Sequence, residues 1–203
     1  LSATILEAGL HQLTVVLDGE ELVRESNEWN NLAAILLPAG IPAPEITVSS
    51  PQDGSSLSAP PVLEYMVSEG ADVLVYLDDI LVDGQSGTLL MVSEEGPHLL
   101  TLVAEDAWGI ESTLNVEFSI DTTPPVVEII YPDNVLIHAN HSTLWWDVSE
   151  AGSSRVFIDG QEQQVVSGGM LGPLQDGVHV VRVESIDAAG NIGFDEARFV
   201  VTS

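Results

Sequence analysis

The chain has 203 residues, 45% of them apolar, with 32 acidic side chains against 4 arginines, no lysine and no cysteine, and a formal net charge of -28. That length allows one or two domains whose cores need neither metal nor disulfide staples. The charge repels phosphate backbones and anionic lipid heads, which excludes nucleic acid and membrane insertion, and the lack of cysteine excludes disulfides and thiolate chemistry.

High salt or a medium rich in divalent cations would screen such a surface, and an ordinary soluble extracellular protein also carries one. Missing cysteine does not place a chain inside a cell. The expected location is extracellular or at the cell surface. Leucine in first position fits either a removed leader or a piece of something longer. The longest apolar run, Leu32–Leu37, is the size of a strand.

In chain order, residues 1–43 open with Gly9-Leu10-His11-Gln12-Leu13-Thr14-Val15, an echo of Gly96-Pro97-His98-Leu99-Leu100-Thr101-Leu102. Glu20–Asn31 has no clear period and leaves room for a short helix, and Ile41-Pro42-Ala43-Pro44 then reads as a stiff linker. From 44 to 122 the period is two. Leu63, Tyr65 and Val67 face one way, as do Val75 and Leu77, then Leu100, Leu102 and Ala104, then Val116, Phe118 and Ile120. Asp121-Thr122-Thr123-Pro124-Pro125 is the second linker. From 125 to 203 the alternation returns as Leu144, Trp146 and Val148, then Val156 and Ile158, then Val181, Val183 and Ser185, then Ala197, Phe199 and Val201. Turn dipeptides such as Asp53-Gly54, Asp83-Gly84 and Asp159-Gly160 separate six or seven short strands per copy.

The two stretches are copies at a fixed offset of 81 residues, with no gap: Pro44 falls on Pro125, Asp78 on Asp159, His98 on His179, Asp106 on Asp187 and Phe118 on Phe199. The pattern predicts an all-β protein of tandem immunoglobulin-like β-sandwiches: domains at 44–122 and 125–203, preceded by a partial repeat or assembly segment at 1–43. The run Gly177-Val178-His179-Val180-Val181-Arg182-Val183-Glu184-Ser185-Ile186-Asp187-Ala188-Ala189-Gly190-Asn191 and the linker Ile120–Pro125 resemble prokaryotic (bacterial and archaeal) Ig-like repeats of surface and secreted proteins. The likeness covers about 160 residues. It implies the fold, and a role among stalks, adhesin spacers, filament subunits and enzyme accessory modules. The middle copy departs from the pattern, with Trp108 and Ile110 where the last copy has Ala189 and Asn191.

No nucleophile elbow, phosphate-cradling glycine loop or zinc-protease motif is present, so the expectation is a protein that is not an enzyme. The recurring His11, His98 and His179 read as strand-start histidines bonding a nearby turn, since one per repeat does not converge on a metal. Glu69, Asp78, Asp106, Asp121, Glu150 and Asp187 lie near turns and repeat ends. If any cofactor is bound it is calcium on these oxygens; otherwise they bond turn amides. Asn140-His141-Ser142 is an N-glycosylation sequon. Trp108 and Trp145 are candidates for packing against a neighbour or stacking on sugar, and Leu32, Ile35 and Leu37 for strand addition to another chain. The reading that follows is a structural stalk or filament subunit. The alternatives are an adhesin module binding a ligand or calcium, and a carbohydrate-binding accessory module. Its expected partners are copies of itself or neighbouring repeats.

Overall fold

A computed structural model describes residues 9–16, 32–68 and 70–203, and among them all regular structure is β. The segment Glu20–Asn31 and its expected helix lie outside the described residues. Near the N-terminus, β1 (Gly9–Val16) and β2 (Leu32–Ala39) pair antiparallel in unbroken register, from Gly9 opposite Ala39 to Val16 opposite Leu32.

The first copy contributes β3 (Ile46–Ser50), β4 (Ser55–Leu57), β5 (Val62–Val67), β6 (Asp72–Leu77), β7 (Ile80–Val82), β8 (Thr88–Leu89), β9 (Gly96–Glu105) and β10 (Glu111–Ile120). The second contributes β11 (Val127–Tyr131), β12 (Leu136–Ile137), β13 (Ser142–Val148), β14 (Ser153–Ile158), β15 (Gln161–Gln163), β16 (Gly169–Leu171), β17 (Gly177–Ile186) and β18 (Ile192–Val201). The first copy forms a five-stranded sheet β4-β10-β9-β6-β7 and a three-stranded sheet β3-β5-β8. The second forms β12-β18-β17-β14-β15 and β11-β13-β16, which is the same order strand for strand. Among the described residues each copy has eight strands rather than six or seven. The surplus comes from pieces of two or three residues, too short for alternation to register in a sequence.

In both copies the chain leaves the three-stranded sheet after its first strand and runs parallel to the last one, with Ser55–Leu57 along Phe118–Ile120 and Leu136–Ile137 along Val200–Val201. The proline at that crossing, Pro51 or Pro132, is buried and follows a cis peptide bond.

Period-two alternation buries one face of each strand. Val127, Ile129, Leu144, Trp146 and Leu171 of the three-stranded sheet meet Val156, Ile158, Val181, Val183, Ala197, Phe199 and Val201 of the five-stranded one in a single core. Their counterparts Leu63, Val75, Leu77, Leu100, Leu102, Val116, Phe118 and Ile120 are buried as well. The chain is thus all-β, built of tandem Ig-like sandwiches. By compactness it divides into two units. One takes in the N-terminal part through Thr47 with Val67–Leu74 and Leu102–Leu114, and the other Val48–Met66, Val75–Thr101 and Asn115–Ser203.

Candidate functional site

The linker after the first copy is held from two sides. Glu95, in the loop before β9, accepts the backbone N–H of Thr122 at 3.0 Å and the Thr122 hydroxyl, and the Thr123 hydroxyl reaches the same carboxylate at 3.4 Å. Those bonds, the Thr122 hydroxyl foremost, hold the Glu95 carboxyl below its ordinary range. The arrangement recurs 81 residues on, where Asp176 accepts both the N–H and the hydroxyl of Ser203 at 2.8 Å.

On the far side, Asn191 of the β17–β18 turn donates its side-chain amide to Asp121 O at 2.7 Å and to Asp187 Oδ2 at 2.9 Å. Val126 and Ser149 exchange two further bonds at 2.9 Å. Pro125 O lies so close to Gly193 that a Cβ built there would stand 1.7 Å from it. The first linker keeps the paired exchange, between Glu45 and Ser68 at 3.1 and 3.0 Å, and differs in that Ser112 Oγ donates to Pro44 O at 2.6 Å.

Asp187 organises the turn. It is 8% exposed and accepts the Asn191 N–H on Oδ1 at 2.8 Å. Burial pushes its carboxyl up, but bonds from the Asn191 amide and the backbone of residues 189–191 outweigh it, and the net position is below the ordinary range. Asp106 does the same service in the first copy, taking the Trp108 and Ile110 N–H groups on Oδ1 at 2.8 and 2.9 Å. The turn therefore keeps its form despite Trp108 and Ile110, with Gly109 and Gly190 both at positive φ, 76° and 91°. What changes is that Ile110 has no side-chain amide to offer the first linker, as Asn191 offers Asp121 O.

Of the six carboxylates expected as calcium ligands, three converge. Asp121, Glu150 and Asp187 each place an oxygen within 4.8 Å of the others. These are the residues that could hold a cation at this junction. At the first junction the corresponding positions are Gly40, Glu69 and Asp106. Gly40 brings no carboxylate and Glu69 lies outside the described residues. Asp78 is elsewhere, joined to a histidine.

That histidine is one of a matched pair. His98 Nδ1 is 2.7 Å from Asp78 Oδ2 and its Nε2 is 3.0 Å from Glu94 O; His179 Nδ1 is 2.7 Å from Asp159 Oδ2 and its Nε2 is 2.7 Å from Gln175 O. Both begin a strand and bond a turn, as the spacing predicts. Asp78 and Asp159 as their partners escaped the sequence reading, although both acids and both histidines recur at the same offset. With both ring nitrogens engaged, neither imidazole is free to take a proton from a neighbouring hydroxyl. His138 and His141 bond separately, to Thr202 and Asn140.

Trp108 is 46% exposed and lines a hollow of about 420 Å³ with Ile41, Pro42, Pro44 and Glu45. Trp145 is 51% exposed on the outer face of β13, opposite Tyr131 on β11, while its neighbour Trp146 is buried. The six-membered ring of Trp145 lies over Gly168, where a Cβ would come within 2.8 Å of it. Ile35 is exposed on β2. Leu32 and Leu37 join β2 by backbone register, and their side chains lie outside the described set. Asn140 is exposed.

No family model and no curated protein matches the chain. Among solved structures it is similar to the fibronectin(III)-like modules of Clostridium thermocellum CbhA, with a TM-score of 0.53 and 16% identity over 78% of this chain and 94% of that one. An E-to-A variant of titin domains I67–I69 gives a TM-score of 0.45 and 12% identity, covering 79% of this chain and 66% of that one. Sidekick-1 immunoglobulin domains 1–4 give 0.43 and 13%, covering 100% and 60%. At 16% identity the likeness to the CbhA modules is one of fold.

Proposed function

We propose that this chain is a non-catalytic structural spacer of an extracellular or cell-surface protein, of the prokaryotic Ig-like kind. Its modules at 44–122 and 125–203 are joined stiffly so that position, and not chemistry, is what they deliver. The observation that carries this reading is the double fastening of the second linker, by Glu95 before it and by Asn191, Ser149 and Gly193 beyond it. A linker of Thr and Pro needs no such bonds merely to connect two domains. Amide hydrogen exchange tests it. The Thr122 N–H, held by Glu95, should be protected in the native protein and lose that protection in a Glu95→Ala/Asn191→Ala variant. Exchange there in the unaltered chain, at the rate of an unfolded peptide, would contradict the proposal.

Its partners are other repeats or copies of itself, with the β1–β2 pair as the contact element. Among the described residues β1 and β2 form a two-stranded sheet, an arrangement marginal in water by itself, and Leu13 and Ile35, opposite one another, are exposed. Strand addition through this segment predicts ordered polymers in electron micrographs that disappear when residues 1–43 are removed. Polymers that persist would rule the segment out.

A second reading, a cation-stiffened adhesin module, is favoured by the convergence of Asp121, Glu150 and Asp187. It requires calcium to raise the melting temperature of the unaltered chain by several degrees and to leave Glu150→Gln unmoved. Equal shifts in both would exclude these oxygens. The accessory-module reading draws on Trp145 and Tyr131, a pair of half-exposed rings suited to a sugar face. Retention on polysaccharide that survives Trp145→Ala would remove that platform.

A further inference from the structure

The two histidine–aspartate pairs carry a charge state that goes beyond the proposed mechanical role. Each aspartate opens a two-residue hairpin turn with φ near 50°, between β6 and β7 for Asp78 and between β14 and β15 for Asp159. In that position Oδ1 accepts a backbone N–H from the facing strand, Leu99 or Val180, at 2.9 Å, which leaves Oδ2 against the imidazole. The imidazoles are almost shielded from water, with side chains 8% and 10% exposed. They lie 5.6 Å from the rings of Phe118 and Phe199.

Proton counting follows from the partners. Glu94 O and Gln175 O are carbonyl oxygens and can only accept, so Nε2 must bear hydrogen in both rings. A neutral ring with its proton on Nε2 would turn a bare Nδ1 lone pair on an aspartate oxygen 2.7 Å away. That aspartate already accepts a backbone N–H as an anion does, so the short contact is satisfied by a proton on Nδ1.

We infer that His98 and His179 are both imidazolium cations at neutral pH, each a two-armed charged latch fastening the loop before its strand to the turn of a neighbouring hairpin, which gives the two sandwiches the same built-in response to alkaline pH. The charged groups facing His98 are Asp78 and Glu94, with Glu117 on the wall of the adjoining hollow. Asp159 faces His179, where Gln175 and Phe199 are uncharged and Asp176 is turned to Ser203.

Burial works against the charge on both rings, but the carboxylate and carbonyl bonds outweigh it and raise both histidines above their ordinary 6.5. Burial likewise opposes ionisation of Asp78 and Asp159, and the same bonds with the backbone N–H lower both below 3.8. The sign is then fixed. The histidine share of stability is whole below 6.5 and is lost as pH rises through the raised value, while the aspartate share is whole above 3.8 and is lost as pH falls through the depressed one. The full contribution to stability is present between 3.8 and 6.5, and in the folded chain each latch stays charged from the depressed aspartate value up to the raised histidine value.

Ring-nitrogen NMR of the ¹⁵N-labelled 203-residue chain, followed from acid to alkaline pH, tests this. Both nitrogens of both rings should have protonated shifts at neutral pH. Asp159→Asn should weaken proton binding at His179 by roughly tenfold or more, a full pKa unit, and leave His98 where it was. Neutral-tautomer shifts in the unaltered protein at neutral pH would overturn the inference, as would a His179 midpoint unmoved by Asp159→Asn. Should that variant not fold, the titration of the unaltered chain decides alone.

Discussion

Gly193 and Ser112 occupy the same position in the two copies and solve the same problem in different ways. Ser112 reaches out to the linker carbonyl of Pro44 with its hydroxyl, whereas Gly193 lets the carbonyl of Pro125 come down onto the strand itself. A methyl group at 193 has no room, because the atom it would strike is backbone and not the end of a flexible side chain. Gly193→Ala is therefore expected to lose about 1–3 kcal/mol in chemical denaturation, the usual cost of overpacking, as the linker is pushed off the strand. Unchanged stability would mean that Pro125 does not lie where the structure puts it. Two of the four arginines have assigned partners. Arg155 pairs with Glu162, and Arg182 lies between Glu184 and Glu196 with its guanidinium 3.7 Å from the centre of the Phe194 ring. Among the described residues, Arg155 and Arg182 thus lie on the β14-β17-β18 sheet, where they offset acids of their own and neighbouring strands.

At the scale of elements, alternation made the strands legible. Burial of a strand imposes a period of two, and the offset of 81 checks each in-facing residue against its twin, so the inward set from Leu63 to Val201 could be read without coordinates. Strand order could not, since β4 and β12 are only three and two residues long and join the last strand of their sheet in parallel through a crossing that no periodicity marks. The junction was half legible. Prolines announced the linker and acids crowded around it, but among 32 acids nothing separates Glu95 or Asp176 from the rest. Their work appears only when the loop before a strand is seen beside the residue that follows the next one. The histidine partners were hidden for another reason: a turn and a strand 20 residues apart meet only once the five-stranded sheet has formed.

For the whole molecule, a net charge of -28 favours solubility and opposes close approach of like copies. Any self-association must then come from backbone pairing or apolar contact, which is the role proposed for the β1–β2 segment. The charge also bears on the joint, because a linker bordered by Glu95, Asp121, Glu150 and Asp187 would be driven open unless its acids were occupied by donors. Thr122, Thr123, Asn191 and the turn amides supply those donors for Glu95, Asp121 and Asp187.

Because the chain contains no cysteine, spin labels can be placed at will. Electron–electron double resonance between cysteines substituted at Gln85 and Gln164, exposed positions in the first and second copies, reads the stiffness of the joint directly. A clamped linker predicts one narrow distance distribution that broadens when Glu95 and Asn191 are both changed to alanine; a broad distribution in the otherwise unaltered chain would contradict it.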